Sequence, residues 1–159
     1  MSKGAVNFSN DVEYYTPKNI VEKFGKFDYD PATTEEKAKD LEIPNYDTIE
    51  TDGLKSDWTI YNRIWINPPF NLKDKFLERA VDTFLLCRNS IYILLPIEFL
   101  TTKKFYKITM CVGGKIFLPN GRIKFESGLN KETKAPAFGC VILKLQEDQC
   151  CWEIIKFNI

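Results

Sequence analysis

A chain of 159 residues and 18.5 kDa falls within the roughly 100–200 residues usual for one domain, so a single domain over 1–159 is expected. With 44% apolar and 28% charged residues it can fill a core, and its composition is that of a globular protein. It contains no histidine, which excludes Ser-His-Asp and Cys-His catalysis and His-ligated metal sites. No metal is therefore expected, and any chemistry must come from carboxylates, amides, the backbone or a cofactor.

The longest uncharged apolar run, Ile91 to Ile97, is far short of the ~20 residues that cross a bilayer. The opening MSKGAVNFSNDVEYY has no apolar signal core, so a cytoplasmic protein without a membrane partner is expected. Cys87, Cys111, Cys140, Cys150 and Cys151 form no CxxC pair. Three stand in or beside apolar runs, as buried reduced thiols do. The net charge is zero, but it is unevenly spread. Residues 1–80 carry 11 Lys/Arg against 15 Asp/Glu, and residues 81–159 carry 11 against 7. The basic excess lies in 100–134, where Lys103, Lys104, Lys107, Arg122 and Lys124 are candidate phosphate contacts, with Lys115, Lys131 and Lys134 nearby. An acidic half suits a cationic cofactor, and solvated surface charge is the alternative reading.

In chain order, Thr16-Pro17 opens a helix to Phe24, with Thr16 as cap and Pro17 at the first helical position. Phe27 to Asp30 is a short strand ending at Asp30-Pro31. Thr33 to Leu41 is a polar helix, and Tyr46 to Ile49 a short strand. Tyr61 to Ile66 is a strand closed by two prolines. Asn71 is expected to cap the next helix with Asp74 in capping-box position. That helix has an apolar face of Phe76, Leu77, Ala80, Val81, Phe84 and Leu85. Ser90 to Leu95 reads as a buried parallel strand, and Thr101 to Met110 as a helix. Lys115–Leu118, Gly121–Glu126, Phe138–Leu145 and Cys151–Phe157 are strand-like. Alternating β and α followed by a β-rich end predicts an α/β fold: an open, mostly parallel sheet with antiparallel strands at one edge. Ligands of such sheets bind beyond the carboxyl ends of the strands, where Asp30-Pro31, Asn67-Pro68-Pro69 and Leu95-Pro96 all stand.

Asn67-Pro68-Pro69-Phe70 is the most informative segment. Two prolines fix φ and cannot donate hydrogen bonds, so the stretch is stiff and its carbonyls are expected to point outward unpaired. The Asn67 carboxamide oxygen beside a free carbonyl makes two acceptors, which match the two N–H donors of an exocyclic amine. Phe70 offers a stacking surface for a planar ring. Accepting both N–H bonds would direct the nitrogen lone pair at an electrophile without a strong base, by positioning and fixed dipoles. The alternative is a plain strand end with a proline turn.

With YYTP, DYDPAT, DGL before a Trp, WINPPF, an apolar strand ending LLP, GRIKF and APAF in that order, the chain resembles the phage-type DNA N-6-adenine methyltransferase family. The resemblance runs from about Tyr14 to Leu145. It implies a class I methyltransferase (Rossmann-like) fold, S-adenosylmethionine as cofactor, and double-stranded DNA as partner, methylated at an adenine flipped out of the stack. It further implies Asn67, Pro68, Pro69 and Phe70 as the catalytic motif. Tyr15, Thr16 and Pro17 would border the cofactor's methionine moiety, Asp30 and Pro31 would meet its ammonium, and Asp52 and Leu54 would lie near its adenine. Asp47 and Glu50 are the candidates for its ribose. Arg122 and Lys124 match the family's GRIKF segment. The glycine-rich loop of larger methyltransferases is replaced by DPATTEE. NPPF alone is shared with RNA and protein-glutamine methyltransferases, so these remain open, as does a degenerate nucleic-acid-binding decoy. With no room for a separate reading domain, short or relaxed sequence specificity is expected.

Overall fold

The computed structural model describes residues 14–127, 132–134, 136–146 and 151–159. Its centre is β4 (Ser90–Pro96), in which Ile91 to Leu95 are all buried. A strand buried on both faces has to be apolar throughout, and this one is. On one side it pairs in parallel with β3 (Arg63–Ile66), which pairs with β1 (Tyr29–Asp30), which pairs with β2 (Asn45–Tyr46). On the other side lies β8 (Cys140–Gln146), then β5 (Gly113–Pro119), then β9 (Trp152–Phe157). The order β2-β1-β3-β4-β8-β5-β9 with one reversed strand is the class I methyltransferase (Rossmann-like) architecture. The antiparallel pairings lie toward the β9 edge, where antiparallel strands are expected, although the outermost pair β5–β9 is itself parallel. They come from the single strand β8, wedged between two parallel neighbours.

The alternation of β4 sorts the core into two layers. Ile91, Ile93 and Leu95 face α3 (Lys73–Cys87) and α4 (Lys103–Thr109), whose Phe76, Leu77, Ala80, Val81, Phe84 and Phe105 they meet. Tyr92 and Leu94 face the opposite layer, with Ile20 and Val21 of α1 (Lys18–Val21), Ile123 and Phe125. Each such side chain contributes about 1.5–3 kcal/mol on burial. The helix α3 stops at Arg88, which adopts the left-handed conformation (φ 58°) and donates its N–H to the Phe84 carbonyl. α2 (Glu35–Asp40) is capped by Thr34, whose hydroxyl accepts from the Lys37 N–H. A small antiparallel pair, β6 (Phe125–Ser127) and β7 (Glu132–Lys134), lies apart from the main sheet.

Several local expectations are corrected. Thr16 does not cap α1; Pro17 occupies that position and Thr16 is buried. Asn71 does not cap α3 either. The N-cap is Leu72, with no side-chain cap bond, and the Asp74 carboxylate pairs with Lys104 of α4. Residues 121–124 form no strand, and β6 begins only at Phe125. Of the cysteines expected to be buried, Cys140 is, whereas Cys87, Cys111 and Cys151 are exposed free thiols. Cys150 lies outside the described residues. Among the described residues no helix is long and apolar enough to cross a membrane, and no cluster of metal-ligating side chains occurs.

Candidate active site and cofactor crevice

The chain reverses its direction of winding between β1 and β3, since β2 lies to one side of β1 and β3 to the other. At this switch point the carboxyl ends of two parallel strands stand next to each other, carrying Asp30 and Asn67.

β3 delivers Asn67 at the end of a buried RIWI strand. The Asn67 side-chain amide donates to the Tyr14 carbonyl at 2.7 Å. A carbonyl cannot donate, so the nitrogen end must face Tyr14 and Oδ1 is left as an open acceptor. No donor among the described residues reaches Oδ1 or the Pro68 carbonyl. The expectation that all the carbonyls here are unpaired is corrected in part. The Pro69 carbonyl accepts from the Leu72 N–H at 2.9 Å and the Phe70 carbonyl from Lys73 Nζ at 2.8 Å. Asn67 Oδ1 and the Pro68 carbonyl therefore remain open as acceptors. Phe70 packs edge-on against Phe138 (centroids 5.0 Å) and tilted against Tyr14 (6.1 Å). Tyr14 in turn meets Phe125 edge-on at 5.8 Å.

The segment Tyr14–Pro17 is strapped over this motif. Tyr15 and Glu126 exchange both backbone hydrogen bonds at 2.9 Å. The Glu126 carboxylate pairs with Lys37 at 2.9 Å, and Lys37, only 7% exposed, also holds Asp40 at 2.8 Å. The strap, α2 and β6 are thus one unit. Thr16 Oγ1 is buried without a hydrogen-bond partner among the described residues.

Asp30 is 1% exposed, and its Oδ1 accepts from the Ala32 N–H at 3.0 Å. No cation pairs with it among the described residues, and burial pushes its carboxyl up to about 7 against the pull of that one N–H bond. Pro31 is buried beside it. The DGL segment is brought to this point by a close backbone approach. A Cβ at Gly53 would stand 1.9 Å from the Pro31 carbonyl oxygen, so only glycine fits. The Gly53 carbonyl is fixed by the fully buried Trp58, whose indole N–H donates to it at 2.7 Å. Asp52 takes a left-handed backbone (φ 57°), with its carboxylate accepting from the Leu54 N–H and paired with Lys55 at 3.0 Å. Leu54 is half-buried against the core.

Of the two ribose candidates, Asp47 follows β2 and donates its N–H to the Asp30 carbonyl at 2.9 Å, whereas Glu50 is exposed and bound to Thr48. Burial raises the Asp47 carboxyl, but hydrogen bonds from Tyr29, Ser56 and Thr51 outweigh it and hold the group below the ordinary range. A cavity of about 440 Å³ opens beside it, lined by Tyr46, Ser56, Asp57, Ile60 and Tyr61 among others.

The basic residues are not brought together. Lys103, Lys104 and Lys107 sit on α4, in the layer of α3, and Lys104 is engaged by Asp74. Arg122 and Lys124 flank the buried Ile123 in the opposite layer, which also holds Tyr14, Phe70 and Phe138. Arg122 donates to the Pro136 carbonyl at 3.5 Å. Lys131 lies outside the described residues. Lys73 lies outside every motif read from the sequence, whereas Tyr14, Gly53 and Phe138 stand within YYTP, DGL and APAF without an expected role of their own.

The family profile described as DNA N-6-adenine-methyltransferase (Dam) matches residues 10–153. The chain belongs to this family. Members of similar sequence include the DNA N-6-adenine-methyltransferase of Escherichia phage T1, 30% identical over 87 residues (52% of this chain, 35% of that one). The enzyme of the same description from Haemophilus phage HP1 is 32% identical over 111 residues (68% of this chain, 58% of that one). The chain thus matches between about a third and three-fifths of the length of these relatives. A solved structure described as a predicted O-methyltransferase from Agrobacterium tumefaciens superposes at TM-score 0.43 and 13% identity, covering 82% of this chain and 66% of that one.

Proposed function

We propose that this Dam-family chain transfers a methyl group from S-adenosylmethionine to the exocyclic amine of adenine in double-stranded DNA. The observation that carries the reading is the pair of open acceptors, Asn67 Oδ1 and the Pro68 carbonyl, at the switch point of the sheet, with the Phe70 ring on the same short segment.

The chain's own residues fit the cofactor. Among the described residues, Asp30 is a buried carboxyl without a cation, suited to an ammonium, and Thr16 Oγ1 is a buried hydroxyl without a partner. Gly53 and Pro31 bring the Asp52–Leu54 turn against the Asp30 loop, where an adenosine could be held. Asp47, adjacent to Asp30, is the carboxylate placed for ribose hydroxyls. Bound S-adenosylmethionine supplies an electrophilic methyl group, whose bond to sulfur breaks with its electron pair left on the sulfur.

Asn67 Oδ1 and the Pro68 carbonyl accept the two N–H bonds of the adenine amine and localise its lone pair on nitrogen, from which the new N–C bond forms. The methylated nitrogen then loses one proton to solvent, so no protein base is required. Phe70, buttressed by Phe138 and Tyr14, stacks on the extruded base and helps to offset a flipping cost of a few kcal/mol. Arg122 and Lys124, in the same layer as Phe70, hold backbone phosphates that position the duplex. Lys103 and Lys107 add a more distant attraction.

The test is transfer of labelled methyl from S-adenosylmethionine to unmethylated duplex DNA, RNA and protein in parallel. Label in DNA, located at the adenine amine, is expected. Label in RNA or protein with none in DNA would overturn the substrate, and no transfer with no binding of S-adenosylhomocysteine would identify a decoy.

A further inference from the structure

α3 begins with a lysine at the point where the NPPF segment ends. Lys73 Nζ donates to the Phe70 carbonyl at 2.8 Å and lies 5.2 Å from the centroid of the Phe99 ring. Neither partner carries a charge. No carboxylate among the described residues pairs with Lys73, and the adjacent Asp74 is committed to Lys104. The position is also electrostatically adverse, because the first turn of a 15-residue helix favours anions over cations. The side chain is half-buried, so its charge is only partly screened by water. A cation kept in such a place is stabilised best by an anion that arrives from outside.

We propose that Lys73 binds a backbone phosphate of the DNA next to the target nucleotide. This rests on the DNA-methylation reading above. One N–H of the ammonium stays on the Phe70 carbonyl, and the other two are available to phosphate oxygens in charge-assisted bonds. A nucleotide swung out of the duplex carries its own phosphates toward the pocket that receives its base. Lys73 touches the last residue of the motif, so one side chain couples the phosphate to the loop that bears the stacking ring. Lys103 and Lys107, on the exposed face of α4, have no such link to the motif.

The full chain is compared as wild type, Lys73→Met and Lys73→Arg. Met keeps an unbranched stem over Phe99 without the charge, and Arg keeps the charge. Binding of an unmethylated duplex oligonucleotide is titrated across salt concentrations, and S-adenosylhomocysteine binding serves as the check on folding. The expected result is that Lys73→Met lowers the slope of log K against log salt by about 0.9, the contribution of one phosphate contact. Lys73→Arg should restore most of that slope, with cofactor-analogue affinity unchanged in both. A Met variant with the wild-type slope overturns the assignment, whatever its turnover, because Lys73 would then serve only to hold the Phe70 carbonyl. Wild type that fails to bind duplex DNA overturns this proposal and the DNA reading together, which distinguishes the two failures.

Discussion

The Asn67 side chain and the Tyr14 backbone are joined by a hydrogen bond of 2.7 Å that spans 53 positions of the chain. It uses the donor end of the carboxamide and leaves the acceptor end open, which the proposed amine-binding role requires. Asn67→Ala removes both. Methyl transfer is expected to fall by about 10²–10³-fold or more, as when a transition-state hydrogen bond is deleted from other active sites. Binding of S-adenosylhomocysteine, followed by calorimetry, should change little. A variant that keeps a tenth of the wild-type rate would show that Asn67 does not hold the amine.

Asp30 makes the protein without cofactor sensitive to pH. Its carboxyl is raised from 3.8 in the unfolded chain to about 7 in the folded one. The folded state therefore holds a proton that the unfolded state has already lost. Stability is highest below about pH 4 for this group and declines as pH rises to about 7, by an amount on the order of a few kcal/mol. Other carboxylates impose their own dependence, so the informative quantity is the difference from Asp30→Asn. That variant should unfold at higher denaturant near pH 8 than wild type, yet bind the cofactor more weakly, because the ammonium loses its counter-charge. Equal pH profiles for the two proteins would remove Asp30 from this role.

Gly53 and Gly121 provide a matched pair of substitutions. A Cβ at Gly53 meets the Pro31 carbonyl oxygen at 1.9 Å, whereas at Gly121 the nearest atom is the end of Ile159 at 3.7 Å. Gly53→Ala must push two backbone segments apart, at a cost of roughly 1–3 kcal/mol in denaturant unfolding, and should weaken S-adenosylhomocysteine binding. Gly121→Ala should be neutral in both measurements.

Lys37 is held between Asp40 and Glu126 with little access to water. Lys37→Met leaves the Glu126 carboxylate without its partner and should cost about 3 kcal/mol, the low end for a buried pair because Glu126 keeps some exposure. The double variant Lys37→Met/Glu126→Leu should recover much of that loss in chemical denaturation. If the two substitutions are instead simply additive, the pair does not bind α2 to the strap.

The elements most legible in the sequence are those whose own residues determine them. Ile91 to Leu95 can only be a doubly covered strand, and the spacing of Phe76, Leu77, Ala80, Val81 and Phe84 dictates the buried face of α3. β1 and β2 have two residues each, too few to carry a period, and are defined by parallel pairing with a neighbour. Asn67 to Phe70 was readable because proline chemistry is local. The Tyr14 strap was not, since no pattern near residue 14 announces a contact near residue 67.

The basic segment shows the converse error. Lys103 to Lys124 is one cluster in the chain, but the sheet passes between its two parts, and Asp74 withdraws Lys104 from it. Sequence proximity measures charge per length of chain; a phosphate responds to charge per area of surface. The same limit hid Lys73, whose lack of a carboxylate partner among the described residues is visible only in the fold, where Asp74 pairs with Lys104 of α4.

The reversed strand β8 has a kinetic consequence for the protein in a cell. Residues 140–146 occupy the slot between β4 and β5, both of which leave the ribosome earlier, so the sheet has a gap until this late segment is inserted. Until then the β4 edge offers unpaired amides to any neighbouring chain, and Phe138, the ring that braces Phe70, has no anchored strand behind it. The proposed methylation competence should therefore arrive only once residues 140–146 are inserted between β4 and β5. The window before that step is when aggregation competes most strongly with folding.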